Sequence, residues 1–306
     1  MTLATAIAFA LAVPNFADPP VAFERGDARL HIKVGGSDFA AYVWDDPTVR
    51  RPYFTDLRSP TGVAITRNNP PVEGKDPTDH ATMHPGLWLA FGDISDVDFW
   101  RNKGLVRHVA FLEPPTADSD GGGFVARNAY ESAGKTICEE VCRIRITVAP
   151  QGVLIDWTSE FRGPETFVFG DQEEMGLGVR LATDLTVSNG GKILDSAGRI
   201  NEKQVWGRQA DWCDYAGERG GIMLMPDPGD FRRSWFHARD YGLLVANPFG
   251  RRAFNQGEPS RVVVERGNTL TLRFGVLVHD AALDRRIAYR DFLRSRKGKP
   301  PSRSAR

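Results

Sequence analysis

KTICEEVCRIRITV, residues 135–148, alternates along its second half: Arg143, Arg145 and Thr147 interleave with Ile144, Ile146 and Val148. Successive side chains of a strand point to opposite faces, so this two-residue period marks a sheet with one buried and one wet face. The stretch reads as one continuous strand. Cys138 and Cys142, four residues apart on it, would then sit roughly 13 Å apart, beyond disulfide reach. Cys213 has no evident partner either, so the three cysteines read as partly buried thiols, with no disulfide framework and no CxxC metal pair.

The same style continues on both sides. GVLIDWTSEFRG follows as a strand; VRHVAFLEPP and FVARNAYES precede it, with TADSDGGG as a glycine-rich break between them. DGGG reads as a tight connection, because no phosphate-binding spacing accompanies it. ARLHIKVGG and DFAAYVWDD are two strands joined at Gly35 and Gly36, and RPYFTDLRSPTGVAITR is a strand, a turn at Ser59 to Gly62 and another strand. RNNPPVEGKDPTD is a surface loop. RVVVERGNTLTLRFGVLVHD reads as a hairpin turning at Arg266, Gly267 and Asn268. Only ALDRRIAYRDFLRSR changes period, and it predicts a short amphipathic helix. The fold expected is all-β: a large antiparallel β-sandwich, one domain over residues 18–296, with a short C-terminal helix. KGKPPSRSAR, residues 297–306, reads as a disordered basic tail.

At 306 residues, 41% hydrophobic and 25% charged, the chain has ample material for a core. Acidic and basic residues balance at 39 each, so no global field draws it to nucleic acid or to an anionic membrane. A small-molecule or glycan partner fits that balance. The N-terminus runs apolar from Leu3 to Val13 and reaches Ala17 before a polar segment, which reads as a signal peptide over residues 1–17 and predicts a periplasmic or secreted protein, although no basic residue opens it.

Chemistry concentrates in DHATMHPGLWLAFGDISDVDFW, residues 79–100. His80 and His84 can titrate near neutrality or ligate a metal, Trp88 and Trp100 offer flat faces, and Asp79, Asp93, Asp96 and Asp98 supply carboxylates. Taken singly these are core aromatics and turn caps; clustered, they describe a wet, aromatic-walled pocket. FGDQEEMGLGVRLAT, residues 169–183, crowds Asp171, Glu173 and Glu174 ahead of a strand, and like charges this close raise one another's pKa. The glycines of that strand leave room for something to approach. Trp206, Trp212 and Tyr215 stand among charged neighbours and fit a sugar platform or edge packing equally well. In SWFHARDYGLLVANPFGRRAF, residues 234–254, His237, Arg239 and Asn247 accompany a strand.

These three stretches, together with residues 51–67, resemble the bacterial family catalogued as methane oxygenase PmoA-like, whose members are mostly of unknown function. A true methane monooxygenase membrane subunit needs several apolar helices of roughly 20 residues, and no such run exists here, so methane oxidation is excluded. The resemblance implies a β-sandwich similar to galactose mutarotases and related sugar-handling proteins.

The expectation is therefore acid/base chemistry on a sugar: His80 or His84 and His237 exchange protons with a sugar oxygen, Glu174 is the opposing base and Arg180 orients the substrate. Trp88, Asp93, Trp206, Trp212, Arg239 and Asn247 complete the substrate contacts. Epimerisation, glycoside cleavage and elimination remain open, as does a protein that binds glycan without chemistry. No cofactor is called for. A divalent metal on His80 and His84, completed by Glu174 or His237, ranks below acid/base use because the spacing matches no strong template.

Overall fold

The computed structural model describes residues 20–297, so the expected signal peptide and all but the first residue of the basic tail lie outside the described residues. The chain opens with β1 (Val21–Arg25), β2 (Arg29–Val34) and β3 (Ser37–Val43) as an antiparallel meander. Gly35 and Gly36 make the expected turn, with φ of 57° and 79°, a pair of values that a two-residue hairpin demands and glycine supplies freely. After β4 (Tyr53–Thr55), residues 56–86 form loops and turns, and β5 (Leu87–Phe91) follows. Beyond the turn at Ser59 to Gly62 the expected second strand is reduced to isolated bridges at Ala64 and Thr66.

Four long strands then run back and forth: β6 (Leu105–Asp118), β7 (Gly121–Ser132), β8 (Lys135–Ala149) and β9 (Gly152–Arg162). The expected glycine-rich break shrinks to Ser119 and Asp120, and Gly121, Gly122 and Gly123 are part of β7. They belong there because the sheet is crowded at that point: a Cβ on Gly122 would lie 2.5 Å from the Phe23 ring, and one on Gly123 would lie 2.4 Å from the Ile144 carbonyl oxygen. On β8, Cys138, Glu140, Cys142, Ile144 and Ile146 face inward and Arg143 and Arg145 face outward, as the alternation dictates. Glu140 follows its strand into the core. Burial raises its pKa against the bonds from Asn128 Nδ2 (2.9 Å) and Ser159 Oγ (2.5 Å).

The remainder comprises β10 (Phe167–Phe169), β11 (Met175–Arg180), β12 (Lys192–Asp195), α1 (Asn201–Val205), β13 (Arg208–Gln209), β14 (Cys213–Ala216), β15 (Gly220–Pro226), β16 (Trp235–Arg239), β17 (Leu243–Asn247), β18 (Val262–Val264), β19 (Leu270–Asp280) and α2 (Arg285–Lys297). A nine-stranded sheet runs β1-β2-β3-β4-β5-β11-β17-β16-β13, and an eight-stranded sheet runs β12-β14-β15-β19-β9-β8-β7-β6. Every pairing between these strands is antiparallel. One hydrophobic cluster draws on both sheets, with Phe54, Phe91, Leu177 and Phe236 from the first and Phe124, Ile155, Trp157 and Phe274 from the second. The interior is therefore that of a sandwich.

One expected pairing does not form. The turn at Arg266 to Asn268 exists, closed by Asn268 N–H on the Glu265 carbonyl at 2.9 Å, yet β18 pairs with β10 and β19 pairs with β9 and β15. The helix α2 lays Ala288 and Phe292 on the outer face of the second sheet, against Leu154, Met225 and Leu277. Cys138, Cys142 and Cys213 are free and buried. Among the described residues no helix is long and apolar enough to cross a membrane.

Candidate functional site

The loop that carries His80 and His84 has no regular structure of its own, and buried arginines hold it. Arg67 donates through Nη1 to the carbonyls of Pro77 and Asp79, both at 2.9 Å, and through Nη2 to that of His84 at 3.3 Å. Arg51 donates to the Met83 carbonyl through Nη2 and to the Trp100 carbonyl through Nη1 at 3.0 Å. Such bonds satisfy backbone carbonyls that a helix or sheet would otherwise satisfy. His80 takes a left-handed φ of 52°, and its carbonyl accepts from Met83 N–H and His84 N–H, so both imidazoles emerge from one tight turn.

Rings extend the turn into a ladder. His80 stacks on His84 with centroids 4.8 Å apart, and His84 stacks on Trp88 at 5.2 Å. Trp88 is fully buried, so it backs the histidine and offers no face to a ligand. Burial, followed by the charge of Arg180, pushes the His84 pKa far below its ordinary value and keeps it neutral. His80 differs: its side chain is 43% exposed, and Nδ1–H donates to Asp79 Oδ2 at 2.7 Å. Burial works to raise the Asp79 pKa, but the His80 bond and the charges of Arg180 and Arg67 outweigh it and hold the carboxyl below its usual range. Asp79, with Arg180 Nη2 at 2.9 Å, fixes the His80 ring; the sequence reading counted it as a carboxylate of the stretch but gave it no such part, although an acid directly before a histidine was visible.

β11, β16 and β17 bring the distant segments alongside. His80, His84, Glu174 and His237 line one hollow of about 110 Å³, together with Met83, Trp100, Arg101, Arg239, Tyr241 and Leu243. Glu174 takes Arg101 Nη2 at 2.8 Å. The three acids expected to crowd one another are in fact dispersed. Asp171 accepts the N–H groups of Arg252, Ala253 and Ser260, while Glu173 accepts from Arg239 Nη2 at 3.0 Å and Trp206 Nε1 at 3.3 Å.

His237 is not a free acid or base. Its Nδ1–H donates to the Glu173 carbonyl at 3.3 Å and its Nε2 accepts Arg239 Nε–H at 2.9 Å, with the tautomer assigned from those partners. Burial and then Arg239 push its pKa down to about 3. Arg239 is also fixed by Glu202 at 2.8 Å, so these residues form a rigid wall.

The remaining expected substrate contacts lie elsewhere. Asn247 is buried and fully engaged with backbone: Nδ2 donates to the carbonyls of Gln172 and Glu173, and Oδ1 accepts the N–H groups of Phe249 and Gly250. Arg180 is buried beneath Tyr241, its Cζ 4.4 Å from the ring centroid. Asp93 accepts Asp96 N–H and packs against Gly170. Trp206 stands behind the wall, beside Glu173 and Phe254. Trp212 does not line the hollow; it lines a larger, open groove of about 740 Å³ with Leu194, Asp195, Leu283 and Arg285. The strand glycines do not admit a ligand; a Cβ on Gly178 would meet Trp88 and Trp100 at 3.0 Å. Among the described residues no three His, Cys, Asp or Glu side chains are placed to hold a metal ion.

The fold and the hollow together define an antiparallel protein of two large sheets, with a histidine-, arginine- and carboxylate-lined pocket on one of them. The chain belongs to a family described as "Family of unknown function (DUF6807)", whose model matches residues 29–291. The resemblance to the methane oxygenase PmoA-like family finds no support beside it. No curated protein matches. Similar solved structures include the Slr1438 protein of Synechocystis sp. PCC 6803, at 13% identity over 89% of this chain and 99% of that one, TM-score 0.37. A 4-alpha-glucanotransferase of Thermococcus litoralis is similar at 10% identity over 86% of this chain and 40% of that one, TM-score 0.37. A galactose mutarotase related enzyme of Lactobacillus acidophilus is similar at 9% over 86% and 98%, TM-score 0.35.

Proposed function

We propose that the hollow is the active centre of a carbohydrate-active enzyme that works by proton transfer. One observation carries this reading: Asp79 fixes the Nδ1–H of His80, and no described residue bonds its Nε2, in the same hollow as the carboxylate of Glu174. An imidazole oriented in this way offers a basic Nε2 and, once protonated, becomes an acid, while a carboxylate across the substrate does the converse. Anomeric epimerisation, glycoside cleavage and elimination each need one proton taken and one returned. Tyr241 supplies a flat, partly exposed surface for the apolar face of a sugar ring, and Arg101, Glu174 and His80 supply partners for hydroxyls.

A second reading, glycan binding without chemistry, is favoured by how many of the wall's polar atoms already bond one another, Arg239 and His237 above all. Turnover separates the two. On a panel of mono- and oligosaccharides, His80→Asn and Glu174→Gln are expected to keep ligand affinity within a few-fold and to lose about 10²-fold or more of kcat. An unmutated protein that binds a sugar and turns none over establishes the binder instead.

Export to the periplasm or beyond belongs to the same proposal and rests on the apolar Leu3 to Val13 run and Ala17. N-terminal sequencing of the protein from its native host is expected to begin at or near Asp18; a chain retaining Met1 in the cytoplasm overturns that part.

A further inference from the structure

Most polar side chains that line the hollow are already bonded within the protein. His237 is bonded at both nitrogens, Arg239 at Glu173, Glu202 and His237, Arg101 and Glu174 at each other, and His80 at Nδ1. His84 is the exception. It lines the same hollow and is 4% exposed, yet its Nδ1 is buried without a partner and no described residue bonds its Nε2. Buried polar groups are ordinarily hydrogen-bonded, so an imidazole left bare on a cavity wall marks a place for something that bonds it.

The ring is also held in one orientation. It stacks on His80 at 4.8 Å and on Trp88 at 5.2 Å, meets Trp100 edge-on at 5.9 Å, and its backbone carbonyl is tied by Arg67 Nη2 at 3.3 Å. Burial and the charge of Arg180 keep it neutral, so it does not serve as a proton carrier. A hydroxyl both donates and accepts, and therefore satisfies either tautomer of a neutral imidazole. Resting on the carbohydrate reading above, we infer that His84 determines specificity: it bonds a sugar hydroxyl next to the one that His80 Nε2 engages, so the substrate carries free hydroxyls on neighbouring carbons. The stack sets that adjacency, because two near-parallel imidazoles on one wall meet two neighbouring oxygens of one ring. A space of about 110 Å³, the share of roughly four water molecules, takes the hydroxyl-bearing edge of a single sugar ring.

Calorimetric titration of the full chain tests this, with glucose, galactose, mannose and xylose and the monodeoxy forms of whichever of them binds. Loss of one particular hydroxyl is expected to weaken binding about tenfold or more. His84→Phe keeps a stacked ring and removes both nitrogens; it is expected to weaken the intact sugar by a similar factor and to abolish that penalty, while the penalty at the neighbouring hydroxyl, the partner of His80, remains. If His84 only supports the fold, the variant weakens every form alike and the penalty persists, which overturns the inference. Should the variant fail to fold, nitrogen NMR signals of the unmutated protein decide: the bound sugar is expected to shift those of the His84 ring, and the form lacking the hydroxyl is not. Unshifted His84 signals under a bound sugar overturn the inference and leave the carbohydrate reading standing. If none of these sugars binds, both fall.

Discussion

Arg239 donates its Nε–H to Nε2 of His237 at 2.9 Å, so this buried imidazole is an acceptor on one side and a donor to the Glu173 carbonyl on the other. A histidine in that position must stay neutral. Its pKa falls to about 3, below its unfolded value of about 6.5, so the stability it contributes is present above about pH 6.5 and is lost as pH falls toward 3, at about 1.4 kcal/mol per unit. His237→Gln is expected to reduce the acid slope of denaturant-derived stability by about one proton, and the His237 ring resonances are expected not to titrate between about pH 5 and pH 8. A midpoint near 6.5 would contradict the assignment.

Asn247 holds the segment that carries Glu173 and Glu174, through two bonds donated and two accepted. Asn247→Ala is expected to cost about 2–4 kcal/mol in urea unfolding, because it strands buried backbone groups. The same change is expected to weaken ligand binding without Asn247 touching the ligand.

Gly178 gives Trp88 and Trp100 the space to stand against β11, and Trp88 in turn backs His84. Gly178→Ala is expected to destabilise the protein by about 1–3 kcal/mol, read as a lowered Tm, because the added methyl forces the rings apart. An unchanged Tm would mean that the tryptophans yield freely.

Asp230 titrates in the opposite sense. Burial raises its pKa to about 7 despite the Arg273 N–H at 2.7 Å. A folded pKa above the unfolded one means that its contribution is fully present below about pH 4 and is lost as pH rises through 7, by up to about 4 kcal/mol. Asp230→Asn is expected to flatten that part of the stability profile between about pH 4 and pH 7.

The long strands were legible because a two-residue period is local information. Ile144 and Ile146 alternate with Arg143 and Arg145 whatever the rest of the chain does. The partner of β18 was not legible: the Gly267 turn looks like a hairpin from sequence, but Val262–Val264 pairs with Phe167–Phe169 across a long sequence separation that no local pattern records. The gathering of His80, His84, Glu174 and His237 could be anticipated from the density of chemistry in three segments. Their separate roles could not, because these turn on partners such as Arg239 and Asp79. Arg51 and Arg67 gave no signal at all, since arginine in a sequence ordinarily reads as surface.

The most direct test of the sugar site is the crystal structure of the protein soaked with a sugar that it binds. A hydroxyl of that sugar is expected to enter the hollow, within hydrogen-bond distance of His80 Nε2. The sugar found only in the open groove beside Trp212, with the hollow vacant, would contradict it.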